Sequence, residues 1–224
     1  MRFEQAVAFA YAMDWPINHA ITITWAALIT AGERNEGHCL GRGVWERDKY
    51  LRDELARLCR SAGIPFAAIW GRDVGAQMQE HIHLGMFFPY YLRPQLVALI
   101  ERITGSSAEF VIAGYGADTV ARSVCGGWQI DVNNRGNGCD KKSAIEWAGY
   151  IAAQHAKHPA PPDLKGKAFG ISEAINKAAQ ERARPMLEAR EAQFGWIRGD
   201  VAQNATAARL SLLEGDDDDD NGGG

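Results

Sequence analysis

Cysteine is scarce in this chain. Cys39, Cys59, Cys125 and Cys139 are the full set, and no two of them form a CxxC pair. The spacing therefore gives no support to a zinc ribbon or a dithiol redox motif, and free thiols in a reducing cytoplasm are the expectation. Long apolar runs are missing too. No stretch approaches the roughly 20 uninterrupted apolar residues of a membrane span. The opening segment, MRFEQAVAFAYAMDW, holds a short apolar run but also Glu4 and Asp14, with no basic leader before it. It reads as mature protein rather than a signal peptide. No GxxxxGK[ST] segment occurs, which excludes a fused P-loop helicase. None of the six histidines is followed two residues later by Ser or Thr, which weighs against a two-histidine phosphoesterase. No internal repeat is present.

Positive charge is also in short supply, with a formal net charge of −4. Much of that sum sits in one place. Glu214 and Asp216 to Asp220 cluster in LEGDDDDDNGGG, and without them the balance is near neutral. Such a chain has no large non-specific phosphate footprint, although a local basic groove remains compatible with it. The tail itself is too acidic and Gly-rich to bury a core. It is expected to be unstructured, as a solubility tail or a DNA-mimicking brake.

What is present is a run of regular elements. INHAITITW, residues 17 to 25, is rich in β-branched residues and reads as a strand. Residues 44 to 62 have helical periodicity, with Leu51, Leu55, Leu58 and Cys59 on one face. Gly63 and Pro65 stop that helix. Phe66 to Trp70 predicts a second strand, Gly71 to Glu80 a polar loop, and His81 to Phe88 a third strand. Leu92 to Ile103 predicts a second amphipathic helix, and the glycines of Val111 to Val124 leave that stretch open between loop and short strand. GWQIDV, residues 127 to 132, alternates like a strand. Lys142 to Lys157 predicts a third helix, ended by Pro159, Pro161 and Pro162. Ser172 to Phe194 predicts a further helix interrupted near Pro185.

The order β-α-β-β-α-β predicts an α+β fold. Its central antiparallel sheet has split βαβ (RRM/ferredoxin-like) topology, with helices on one face and a helical C-terminal extension. The other face of the sheet is expected to be open for a substrate. The expected organisation is an N-terminal extension over 1–16, the main domain over 17–165, a helical extension over 166–200 and the acidic tail over 201–224.

Two features carry chemistry. In HIHLGMFF, a strand period of two sends His81 and His83 to one face while Ile82 enters the core. Two imidazoles on a rigid strand suit a divalent metal, and the bland alternative is a pair of surface histidines. Asp73, in IWGRD, is the candidate third ligand, with Gln79 and Glu80 as competitors. The second feature is Tyr150 in SAIEWAGYIAAQHAK, at the edge of that helix's apolar face. A phenolate is a competent nucleophile for phosphodiester transfer, and the alternative is an amphipathic packing residue. Gln154 lies one turn further on and Lys157 about 10 Å along the axis.

Together these segments resemble the rolling-circle replication initiators of the HUH endonuclease superfamily. ITITW (21–25), HIHLGMF (81–87) and GYIAAQHAK (149–157) stand in the order of that family's three motifs. IWGRD (69–73) looks like the strand supplying an acidic ligand, and GKAFGISEAI (166–175) resembles a segment downstream of the tyrosine. The resemblance covers about residues 17 to 180. It implies Mg²⁺ or Mn²⁺ on His81, His83 and Asp73, and attack by Tyr150 on single-stranded DNA at a replication origin. The products would be a 5′-phosphotyrosyl protein and a free 3′-hydroxyl. It also implies a separate helicase as partner. One departure stands out: the family's lysine three residues after the tyrosine is Ala153 here, which leaves Lys157, Lys141 or Lys142 for that role. Lys141, Lys142, Gln154 and Trp25, with Trp70 and Trp128 as further aromatics, are the candidate DNA contacts. Two readings compete: a non-catalytic single-stranded nucleic-acid-binding module, and a zinc phosphoesterase using His81, His83 and Cys125 or Cys139.

Overall fold

The computed structural model describes residues 3–30, 44–75, 79–110, 119–132, 141–157 and 168–192. Residues 1–180 form one compact unit and residues 181–224 a second. The elements are α1 (Phe3–Ala12), β1 (His19–Thr24), α2 (Trp25–Thr30), α3 (Val44–Ser61), β2 (Ala68–Gly75), β3 (Gln79–Met86), α4 (Arg93–Thr104), β4 (Ala108–Phe110), β5 (Thr119–Ser123), β6 (Trp128–Val132), α5 (Lys141–Lys157) and β7 (Phe169–Ile171).

All seven strands join one antiparallel sheet in the order β4-β5-β6-β1-β3-β2-β7. Its middle, β6-β1-β3-β2, is the split βαβ arrangement, and the chain is α+β as its sequence predicts. Strand β1 alternates buried and half-buried residues, so Ile21 and Ile23 enter the core while Ala20, Thr22 and Thr24 leave the opposite face. On the core side, Leu51 and Leu55 of α3 and Leu96, Ile100 and Ile103 of α4 meet Ile82, Leu84 and Ile130 from the sheet. Burying each such aliphatic contributes about 1.5–3 kcal/mol. Helix α4 ends where Gly105 turns left-handed at φ 66, a conformation that favours glycine.

Several expectations need correction. Strand β2 does not stop at Trp70; residues assigned to a polar loop continue it through Gly75. Pairing to β3 satisfies the backbone, and Arg72 sinks into an ion pair with the buried Asp48, so polarity here marks a buried charge pair rather than a loop. The sheet is not covered on one face only. Helix α5 lies across the opposite face over β2, with α1 packed against α5. Helix α1 falls in the stretch read as a mere N-terminal extension; Phe3, Ala6, Val7, Phe9 and Ala10 are all buried there. The C-terminal extension is not wholly helical, because β7 adds to the edge of β2. Gly170 makes that addition possible: any Cβ there would overlap the Trp70 ring. Residues 177–192 are helical straight through Pro185. The acidic tail lies outside the described residues.

Candidate active site

Residues directly opposite in an antiparallel ladder share a face. Asp73 pairs with His81 and Gly71 with His83 across β2 and β3. On the other side of β3, Thr22 pairs with His83. One patch therefore holds Asp73, His81, His83 and Thr22, while Ile82 points the other way into the core, as the alternation requires. His81 Nε2 lies 3.7 Å from Asp73 Oδ2. The two imidazoles meet edge to face with centroids 4.8 Å apart. His83 Nδ1 is 3.0 Å from Thr22 Oγ1. When that nitrogen donates to Thr22, Nε2 keeps its lone pair, the state a metal ligand needs.

The patch is buried, with 4% of His81, 9% of His83 and 7% of Asp73 exposed. Burial, then the neighbouring His81, lowers the His83 pKa to about 4 against the opposing pull of Asp73. The ring is thus neutral at physiological pH. Asp73 Oδ1 is buried and, among the described residues, has no hydrogen-bond partner. An orphaned carboxylate oxygen in such a place costs about 1–3 kcal/mol unless something else satisfies it. Among the described residues no three His, Cys, Asp or Glu side chains are already drawn together as a metal cage. The donor set nevertheless fits a divalent cation. It offers a carboxylate oxygen without a partner among the described residues and two imidazoles on strands in fixed register.

Helix α5 supplies the fifth member. Its approach depends on two strand glycines, since a Cβ on Gly71 would run into Ile151 and one on Gly85 into the Trp147 ring. With Ile151 and Trp147 seated on those flat positions, the Tyr150 ring comes 5.8 Å from that of His83 at an interplanar angle of 73°. Tyr150 as a whole stays 47% exposed.

The other candidates fare differently. Trp25 is not a stacking surface: it is fully buried and its indole N–H donates to Asp48 Oδ1 at 2.8 Å. Trp128, 2% exposed, donates to the Ser106 carbonyl, and Trp70 is buried beneath Arg52. All three tryptophans are committed to the core, so none is the base-stacking surface expected of it. Glu80 pairs with Arg72 on the opposite face and is thereby removed as a competing ligand. Lys141 and Lys142 are exposed in the first turn of α5, roughly 12 Å or more along the axis from Tyr150, and Lys142 Nζ is 3.9 Å from Glu146. The side chains of Gln79, Gln154 and Lys157 lie outside the described residues, as does Cys139. Cys125 sits in an exposed turn with its Sγ near the hydroxyls of Ser106 and Ser123, not with the histidines. Thr22, Gly71 and Gly85 carry the site without having been singled out in the sequence.

No protein-family model, curated protein or solved structure matches this chain. Among the described residues, no helix is long and apolar enough to cross a membrane.

Proposed function

We propose that this chain is a metal-dependent DNA-nicking and rejoining enzyme that uses Tyr150 as its nucleophile on single-stranded DNA, in the manner of a rolling-circle replication initiator. One observation carries the reading: an exposed phenol stacked edge-on to His83, beside a buried Asp73 oxygen that lacks a partner among the described residues. His81, His83 and Asp73 would hold a Mg²⁺ or Mn²⁺ ion, which when bound supplies charge to polarise the scissile phosphate.

The residues of the chain do the rest. Thr22 fixes the His83 ring through its hydrogen bond. Trp147 and Ile151, seated on Gly85 and Gly71, hold α5 so that the phenol stays over the patch. Tyr150 Oη attacks phosphorus and loses its proton to solvent. The Tyr–O–P bond forms, the P–O3′ bond breaks, and the departing 3′-oxygen takes up a proton to become the hydroxyl that primes synthesis. The reverse attack by that hydroxyl reseals the strand. A separate helicase would open the duplex. The reaction belongs in the cytoplasm, where plasmid or phage DNA replicates.

The decisive test incubates the protein with end-labelled, origin-like single-stranded DNA and Mn²⁺, then resolves products on a denaturing gel. The expected result is a covalent protein–DNA adduct that disappears in Tyr150→Phe. Binding without any metal-dependent adduct would instead identify a non-catalytic nucleic-acid-binding module.

A further inference from the structure

A cleft of about 300 Å³ opens beside the site, between the N-terminal half of α5 and the β1–β6 part of the sheet. Ala20, Asp131, Ser143, Glu146 and Trp147 are among the residues lining it. Two independent routes place it one step from the proposed chemistry. Along the sheet, Ala20 pairs with both Gly85 and Asp131, and Gly85 lies two positions beyond His83 on the same face, roughly 6–7 Å away. Along the helix, Glu146 lies four residues before Tyr150, about 6 Å up the same stripe. Both spacings match the reach of a single nucleotide from the phosphate that Tyr150 would attack.

The chemistry of the walls says which part of a nucleotide enters. Trp147 and Ala20 offer flat apolar surface, while the polar side presents two carboxylates. Asp131 is held in place: Oδ1 accepts from the Thr119 hydroxyl at 2.5 Å and Oδ2 from the Gln129 amide at 3.0 Å. Each carboxylate oxygen keeps a further lone pair for a ligand donor. Glu146 is exposed and its one described ion pair, to Lys142 at 3.9 Å, is loose. Two carboxylates repel a phosphate and so exclude the DNA backbone from the cleft. They accept hydrogen bonds from exocyclic amino groups, as acidic side chains do from cytosine N4. Guanine is the fullest match, with adjacent ring N–H and amino donors. Thymine is the poorest, because its one donor lies between two carbonyl oxygens that the carboxylates repel.

We infer that this cleft is a base-reading subsite, taking the amino-bearing base of the nucleotide next to the scissile phosphate and rejecting thymine, with Asp131 and Glu146 as specificity-determining residues. The assignment of the neighbouring phosphate rests on the nicking reading above; the base preference of the cleft does not.

The test uses the ¹⁵N-labelled full chain without added metal, titrated with deoxyguanosine, deoxycytidine, deoxyadenosine and thymidine. The Trp147 indole N–H and the Ala20 and Asp131 amides are followed by NMR. Amino-bearing nucleosides, deoxyguanosine foremost, should shift those signals with at least about 10-fold higher affinity than thymidine, and Asp131→Asn combined with Glu146→Gln should erase the difference. Equal response to all four nucleosides overturns the proposal. So does silence at the cleft signals, or discrimination that survives both substitutions. The nicking assay is scored separately. Loss of the adduct with the nucleoside preference intact would sink the tyrosine mechanism and leave the base-reading cleft standing. An adduct formed with equal efficiency whichever base flanks the nick would sink the cleft and leave the mechanism.

Discussion

Asp73 and His81 face each other across the β2–β3 ladder with Oδ2 3.7 Å from Nε2, while the other oxygen of Asp73 is buried without a partner among the described residues. A carboxylate held this way is a poor contribution to stability and a good one to cation binding. An unsatisfied buried oxygen costs about 1–3 kcal/mol, and a cation would recover that cost.

That imbalance gives a prediction in which stability and binding move apart. Asp73→Asn should leave the metal-free protein as stable as the parent or slightly more so. Its Mn²⁺ affinity should drop by at least about 100-fold, because loss of a direct ligand costs no less than the roughly 10–100-fold lost with an outer-shell partner. Calorimetric titration with Mn²⁺ measures the second effect. Thermal unfolding with and without Mn²⁺ measures the first, because a ion bound only by the folded state raises the midpoint. A parent protein whose midpoint ignores millimolar Mn²⁺ would remove the metal from the mechanism.

Tyr150→Phe isolates the nucleophile. The ring is 47% exposed, and the substitution keeps its edge-on packing against His83. Stability should change by no more than about 0.5 kcal/mol, as for other surface substitutions. Adduct formation should fall by about three orders of magnitude or more, since no other group takes over when a covalent nucleophile is removed. Single-turnover gel assays beside a urea melt separate the two quantities.

The alternation in HIHLGMFF was enough to send His81 and His83 to one face, because a strand's period is local and needs no partner. The order of strands and helices likewise sufficed for the split βαβ core. Asp73 was named for the right neighbourhood but in a loop; only pairing to β3 makes Gly71 to Gly75 extended, and strand register is a tertiary property. Helix α1 was missed because it is apolar almost all round, leaving no stripe for periodicity to find. Trp25 was misplaced for a related reason: whether an aromatic stacks on a ligand or fills the core depends on α3, which brings Asp48 to its indole N–H. Gly71 and Gly85 look like weak points in a strand, and their value emerges only once α5 is laid across them.

Gly71→Ala tests that value. The added methyl meets the Ile151 Cγ2 atom at 2.5 Å, with the rest of Ile151 no nearer than 3.9 Å. The helix must therefore shift or Ile151 must change rotamer, at about 1–3 kcal/mol for an overpacked contact. A displaced α5 carries Tyr150 away from His83, so adduct formation should fall about 10–100-fold, as small misplacements of a reacting group do. Adding Ile151→Ala removes the obstructing atom. The double variant should recover most of the lost rate while remaining less stable than the parent, since Ile151 is itself 2% exposed core. Additive losses in rate would mean that Gly71 acts otherwise than by clearing the path of the helix.

His19 and His83 share the response to acid, and His19 is the one outside the candidate site. It is 1% exposed at the start of β1, between Asn18 Oδ1 at 2.9 Å from its Nδ1 and Arg93 Nε at 3.5 Å from its Nε2. Burial, and then the positive charge of Arg93, lower its pKa from 6.5 to about 3. The folded state therefore binds the imidazole proton less readily than the unfolded state. Above pH 6.5 both states are neutral and the full stability is present. As pH falls from 6.5 toward 3 the unfolded chain takes up a proton the folded one refuses, and stability drops by about 1.4 kcal/mol per pH unit from this residue alone. Below about 3 the loss levels off. Urea melts in EDTA at pH 7.0, 5.5 and 4.5 measure the slope. Replacing the ring by one that cannot take up a proton, His19→Phe, should remove its share of about 1.4 kcal/mol per pH unit and leave the similar share of His83, whose pKa is lowered to about 4, whatever the substitution does to stability at neutral pH. A slope unchanged in that variant would assign the acid sensitivity to other groups.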